Sequence, residues 1–131
     1  MTTPLVVVSG IILNKRGEML LVKSHKWRNR YGVPGGKLIY GESIEKALAR
    51  EMKEEVGINI KNARFLTVRE DISRKRHIIF IVHTCKADSS RVRLDRRELN
   101  AYAWTKPERA LKMNLDIIAR DFVNAFLKAR K

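Results

Sequence analysis

The chain is short of acid. Of its 131 residues only 14 are Asp or Glu, against 28 Lys or Arg, giving a formal charge of +14 at neutral pH. It has one cysteine, Cys85, which excludes an internal disulfide and any zinc site built from several thiolates. Within its apolar run that thiol reads as a small buried side chain. Three prolines and seven glycines are too few for a flexible or rigid linker, and no repeat or low-complexity tract appears, so one domain over residues 1–131 is expected. No apolar run approaches the roughly 18 residues that cross a bilayer. The start also lacks the charged-then-apolar order of a secretory leader, so a cytoplasmic protein with no membrane partner is expected. Aromatic residues are only 7% of the chain, yet Trp27 and Tyr31 share one basic loop.

A chain this basic draws polyanions, nucleotides and nucleic acid among them. Its acids are not spread evenly. Residues 42–55 hold five of the fourteen (Glu42, Glu45, Glu51, Glu54, Glu55) against three bases, a net −2 that leaves +16 for everything else. Glu51, Glu54 and Glu55 stand at i, i+3 and i+4, on one face of a helix and near its C-terminal end, where the helix dipole is already negative. Repelling charges in that position break a local rule unless something compensates. A divalent cation would convert the repulsion into attraction, with the surrounding Lys and Arg attracting a polyphosphate. A solvated acidic face is the plainer alternative.

The rest of the chain reads as strands around two main helices. LVVVSGIIL (5–13) and EMLLVK (18–23), joined by the turn NKRG, suggest a hairpin. A basic loop, SHKWRNRYGVPGG (24–36), ends in Pro-Gly-Gly. A helix is expected from an N-cap at Ser43 to Val56, stopped by Gly57, with Leu48, Met52 and Val56 buried and Ala47 on the acidic side, leaving room for a ligand. Strand-like runs follow at 63–71, 77–85, 91–94 and 98–104. Pro107 opens a short helical turn, and an amphipathic helix with Leu115, Ile118, Phe122 and Phe126 on one side ends the chain. Strands interleaved with helices indicate a layered α/β fold.

From Gly36 the sequence runs Gly, five residues, Glu42, seven residues, Arg50-Glu51-Met52, one residue, Glu54-Glu55, one residue, Gly57-Ile58. This resembles the Nudix box at every fixed position, and a looser likeness extends from about Leu5 to Trp104. The resemblance implies a Nudix-type α/β/α sandwich around a mixed β-sheet. It also implies that Glu51, Glu54 and Glu55, with the carbonyl of Gly36, hold Mg²⁺ or Mn²⁺, that Arg50 orients carboxylates, and that Glu42 supports them from behind. The implied reaction is hydrolysis of a nucleoside diphosphate linked to another group. Glu51 is the favoured general base and Glu98 the second. Glu98, followed six residues on by Trp104, looks like the segment that adds a metal ligand in several MutT-like members, with a surface ion pair to Arg96 or Arg97 as the other reading.

Trp27, Arg28 and Tyr31, with Lys26 and Arg30 beside them, have the composition of a base-stacking and phosphate-contacting loop. Asn114 is a candidate reader of a purine edge, or a cap for the last helix. His77 and His83, six apart on one strand, face the same way without a third ligand. The chain lacks the proline after the box that ADP-ribose pyrophosphatases commonly carry, and the arginine-bearing motif of the coenzyme A type. Nucleoside triphosphates, including oxidised ones, therefore lead as substrates, with ADP-ribose-like conjugates as the alternative. A basic RNA- or DNA-binding protein on the same fold, or a catalytically silent sensor, stands outside the enzyme class. The oligomeric state is open, a homodimer included.

Overall fold

A computed structural model describes residues 3–130. Its centre is β1 (Leu5–Leu13), whose apolar, β-branched run is what a strand covered on both faces requires. Val8 and Ile12 point to one side of the sheet and Ile11 to the other, all fully buried. β1 runs parallel to β6 (His77–Ala87) over nine positions, from Leu5 opposite Ile78 to Leu13 opposite Lys86. Its other edge is shared. Near its end it meets β2 (Met19–Ser24) through Leu13 and Met19, while earlier it pairs antiparallel with β4 (Gly35–Lys37), Val8 opposite Gly36 and Ser9 opposite Gly35.

The expected hairpin is present, tightened by Asn14 N–H donating to the Glu18 carbonyl at 2.9 Å, but its strands diverge at once. β2 pairs with β3 (Arg30–Gly32) and with β7 (Ala101–Thr105), and β5 (Ile60–Ile72) forms the far edge beside β6. The result is a mixed sheet of order β3-β2-β1-β6-β5, with β4 and β7 attached to β1 and β2.

Helix α1 (Ile44–Val56) covers one face. Ser43 Oγ accepts from Lys46 N–H at its start, and Gly57, in the left-handed region at φ 71°, closes its end. Leu48, Met52 and Val56 pack on Val8, Ile12, Leu20 and Val22. Ala47 is fully buried with them rather than lining the acidic side, because the helix sits low on the sheet. Gly10 permits this: a Cβ there would lie 3.1 Å from Met52 Sδ. The opposite face is covered by α2 (Pro107–Ala110) and α3 (Ile117–Ala129), with Phe122, Val123 and Phe126 on Ile11, Met19, Leu21 and Val82, and Phe122 edge-on to Phe80. This is the α/β/α sandwich that the resemblance implied.

Residues 91–94 are not a strand. Their segment gives its hydrogen bonds to the end of α1: Arg93 N–H donates to the Val56 carbonyl and Asp95 N–H to the Glu55 carbonyl, both at 2.9 Å. Helix-end carbonyls without partners inside the helix find them in this loop.

Leu48 is enclosed between α1 and the sheet, so Leu48→Ala should lower the unfolding free energy by about 2–5 kcal/mol. Urea denaturation followed by far-ultraviolet circular dichroism measures it, and a loss below about 1 kcal/mol would contradict this packing.

Candidate active site

With Met52 seated over Gly10, Glu51 and Glu55 are turned toward β4. Glu51 reaches the Gly35–Lys37 backbone so closely that a Cβ on Gly36 would lie 2.0 Å from its Oε2. A side chain at Gly36 would displace that carboxylate, which occupies the space a Cβ would take. Glu55 accepts from Gly35 N–H at 3.0 Å. Gly35 is excluded from substitution by its own neighbours, since its Cβ would fall 2.6 Å from the Val8 carbonyl oxygen.

Arg50 gathers the remaining carboxylates. Its Nε and Nη2 grip Glu42 in a two-pronged pair at 2.6 and 2.9 Å, and Nη1 donates to Glu51 at 2.7 Å and to Glu54 at 3.1 Å. Nη2 also donates to the Lys37 carbonyl at 3.1 Å. The fixed fork of a guanidinium suits this work, and a lysine could not reproduce it. The hydrogen bond from Arg50 holds the Glu42 carboxyl below its usual range, and the two glutamates in turn raise the Arg50 pKa.

Five carboxylates, from Glu51, Glu54, Glu55, Asp95 and Glu98, line a cavity of about 330 Å³ together with the Gly35–Lys37 backbone. Glu98 thus joins the glutamates of α1, from a loop far along the chain. Its ion pair is with Lys26, at 2.6 Å, rather than with Arg96 or Arg97. Arg97 grips Asp95 instead, and that pairing depresses the Asp95 pKa. Asp95 had no signal in the sequence, because it enters the cavity only through the bond of its own N–H to the Glu55 carbonyl.

Glu55 is the odd member. Burial pushes its carboxyl up to about 8, and the nearby Glu51, Glu98 and Asp95 add to the shift that Gly35 N–H opposes. Each donor around the cavity is an oxygen, the chemistry that suits Mg²⁺ or Mn²⁺ and disfavours softer metals. A part-buried carboxylate paired with no cation among the described residues fits such an ion. Among the described residues no three acidic, histidine or cysteine side chains already converge on one ion position, since Arg50 stands between Glu51 and Glu54.

A second cavity of about 400 Å³ adjoins the first, and the two share Gly35, Gly36 and Lys37. Its walls include Val7, Trp27, Phe80, Ile118 and Phe122, and its polar side chains are Ser9, Asp71, Arg76 and Asp116 besides Lys37. Trp27 lies on Gly32, where a Cβ would come within 2.8 Å of the indole. The other loop candidates lie elsewhere. Arg28 lines neither cavity: it is exposed and closes the turn before β3 in the left-handed region, at φ 55°. Tyr31 is half-buried under Lys23 and exchanges backbone bonds with residues 114 and 116.

Asn114 is exposed and caps no helix. Its carbonyl accepts from Tyr31 N–H, and Asp116, two residues later, caps α3 and enters the cavity. His83 is buried away from both cavities with its Nδ1 unpartnered, and His77 pairs with Glu70.

The description "NUDIX domain" belongs to the family whose pattern matches residues 3–126. The chain is 32% identical over 132 residues to the 8-oxo-dGDP phosphatase NUDT18 of Danio rerio, covering 95% of this chain and 39% of that protein. It therefore spans about two-fifths of that relative. It is 29% identical over 129 residues to the nucleoside triphosphatase NudI of Escherichia coli strain K12, covering 87% and 90% of the two chains. The crystal structure of a MutT protein from Methanosarcina mazei Go1 superposes with a TM-score of 0.87 at 28% identity, covering 100% of this chain and 99% of that one.

The Glu55 shift fixes the sign of a pH effect. The group titrates near 4.5 when unfolded and near 8 when folded, so its charge destabilises the metal-free fold progressively from pH 4.5 to 8 and by a constant amount above. Glu55→Gln retains an acceptor for Gly35 N–H and removes that charge. In chelator its melting temperature should match the wild type near pH 4.5 and exceed it increasingly up to pH 8, where the stability difference reaches on the order of 1–3 kcal/mol. A gap that does not vary with pH would refute the buried-carboxylate assignment.

Proposed function

The chain belongs to the NUDIX domain family, and on that premise we propose that it is a divalent-metal-dependent pyrophosphohydrolase of nucleoside triphosphates, releasing a monophosphate and pyrophosphate. One observation carries this reading: an acidic, oxygen-lined cavity adjoins a larger, mostly apolar one, the two sharing Gly35, Gly36 and Lys37. A nucleotide has the same two halves, a polyphosphate that needs cations and a flat base that needs an apolar slot with a few polar groups. The name of the Escherichia coli relative specifies nucleoside triphosphates, this substrate class, while that of the Danio rerio relative specifies an oxidised nucleoside diphosphate, 8-oxo-dGDP.

Glu51, Glu54 and Glu55, with the Gly36 carbonyl and Glu98, would hold Mg²⁺ or Mn²⁺. When bound, such an ion supplies Lewis-acid polarisation of the phosphoryl oxygens. Arg50 keeps Glu42, Glu51 and Glu54 in place and cannot lose its own charge. Glu51 is the base that takes the proton of the attacking water, because it stands against β4 at the junction of the two cavities. Glu98 is the second choice, being engaged by Lys26. Lys37 is exposed, lines both cavities and serves the phosphates electrostatically. Trp27 forms one wall for the base, and the carboxylates of Asp71 and Asp116 are acceptors for the N–H groups of its edge.

The test is release of phosphate or pyrophosphate across a panel of ordinary and oxidised nucleoside di- and triphosphates and of ADP-ribose-like conjugates, with Mg²⁺ and with Mn²⁺. Triphosphates should be the best substrates and should yield pyrophosphate, and excess chelator should abolish turnover. Glu54→Gln, which keeps the shape of the side chain, should lower kcat by on the order of a hundredfold or more without unfolding the protein. Turnover in chelator, or a Glu54→Gln enzyme within a few fold of the wild type, would refute the reading.

A further inference from the structure

We propose that Lys26 is a positioning cation that alternates between Glu98 in the free protein and a phosphate oxygen of the bound substrate, an assignment that rests on the nucleotide-hydrolase reading above. Its ammonium lies 2.6 Å from Glu98 Oε2, across 72 residues of sequence, at the acidic cavity that Glu98 lines.

Each partner is held without the other. Lys26 sits in the turn His25–Trp27, where its N–H donates to Ser24 Oγ at 3.1 Å and the following Arg28 N–H donates to the His25 carbonyl at 3.1 Å. Trp27 fastens the same turn to Gly32 through its indole. Glu98 is fixed by its own N–H to the Asp95 carbonyl at 3.0 Å, by the buried Leu99, and by Asn100 N–H to the Lys23 carbonyl at 3.0 Å. Both side chains are about half exposed, 56% and 45%. An ion pair in that setting contributes little to stability, so holding these segments together does not account for it.

The cations bonded to the carboxylates of the cavity differ in what they would lose by moving. Arg50 is locked by bonds to three glutamates and a carbonyl, and Arg97 holds Asp95 through two nitrogens. Among the described residues Lys26 makes a single side-chain bond, on a flexible stem with two further N–H donors. A polyphosphate entering the cavity offers more charge than one carboxylate. Lys26 then turns to it while Glu98 is left free to join the other carboxylates. In the free protein the same ammonium opposes any divalent cation that approaches Glu98.

The two roles give opposite signs when Lys26 is removed. Lys26→Ala should bind Mn²⁺ alone about two- to fivefold more tightly, read by electron paramagnetic resonance on the substrate-free protein. It should bind a triphosphate whose α–β bridging oxygen is replaced by methylene about tenfold more weakly, read by calorimetry, with KM for the natural nucleotide rising more than kcat falls. Lys26→Arg should restore most of the nucleotide affinity, and neither variant should melt more than a degree or two from the wild type. Affinities for Mn²⁺ and nucleotide that move in the same direction, or not at all, would overturn the assignment while leaving the hydrolase reading intact. A wild-type protein that binds neither Mn²⁺ nor the analogue would remove both.

Discussion

The crowding of carboxylates at the C-terminal end of α1 is the constraint around which this molecule is arranged. Glu51, Glu54 and Glu55 repel one another and meet the negative end of the helix dipole, so each needs separate compensation. Arg50 supplies it for Glu51 and Glu54 while anchored on Glu42. Among the described residues Glu55 has only the Gly35 N–H, and burial raises its pKa, with the nearby carboxylates adding to the shift. A site left part-compensated in this way has stability to gain from a cation, which is how a binding site differs from a satisfied ion-pair network.

Backbone, more than side chains, shapes the surroundings. Gly10 lets α1 sink onto β1, and Gly36 leaves the space that the Glu51 carboxylate fills. The segment after β6 runs as a loop because its N–H groups are taken by the carbonyls at the end of α1. That same bonding carries Asp95 and Glu98 into the cavity. Capping a helix and completing an acidic site are here one structural event.

The charge asymmetry of the chain acquires a location. Acid is concentrated in one cavity, while basic side chains, among them Lys26, Lys37 and Arg97, stand at its edge. Such a field draws a polyphosphate toward the carboxylates, which by themselves would repel it. On the proposed reading the adjoining apolar cavity receives the uncharged half of a nucleotide, and β4 is the wall the two cavities share.

What depends on neighbours along the chain was legible in the sequence. Ser43 and Gly57 bound α1 because capping is local, its glutamates share a face because helical spacing is fixed, and β1 is a strand because its run is apolar and β-branched. Contacts between distant segments were not legible. Ala47 is in the core rather than beside the ligand, the segment 91–94 is a loop, the cap of α3 is Asp116 and not Asn114, and Glu98 pairs with Lys26 rather than with the arginines next to it. Each of these was decided by a backbone or side-chain partner tens of residues away or by how deeply an element settles on the sheet. Local spacing specifies which groups a helix or strand can present, and only the packed sheet determines which of them meet.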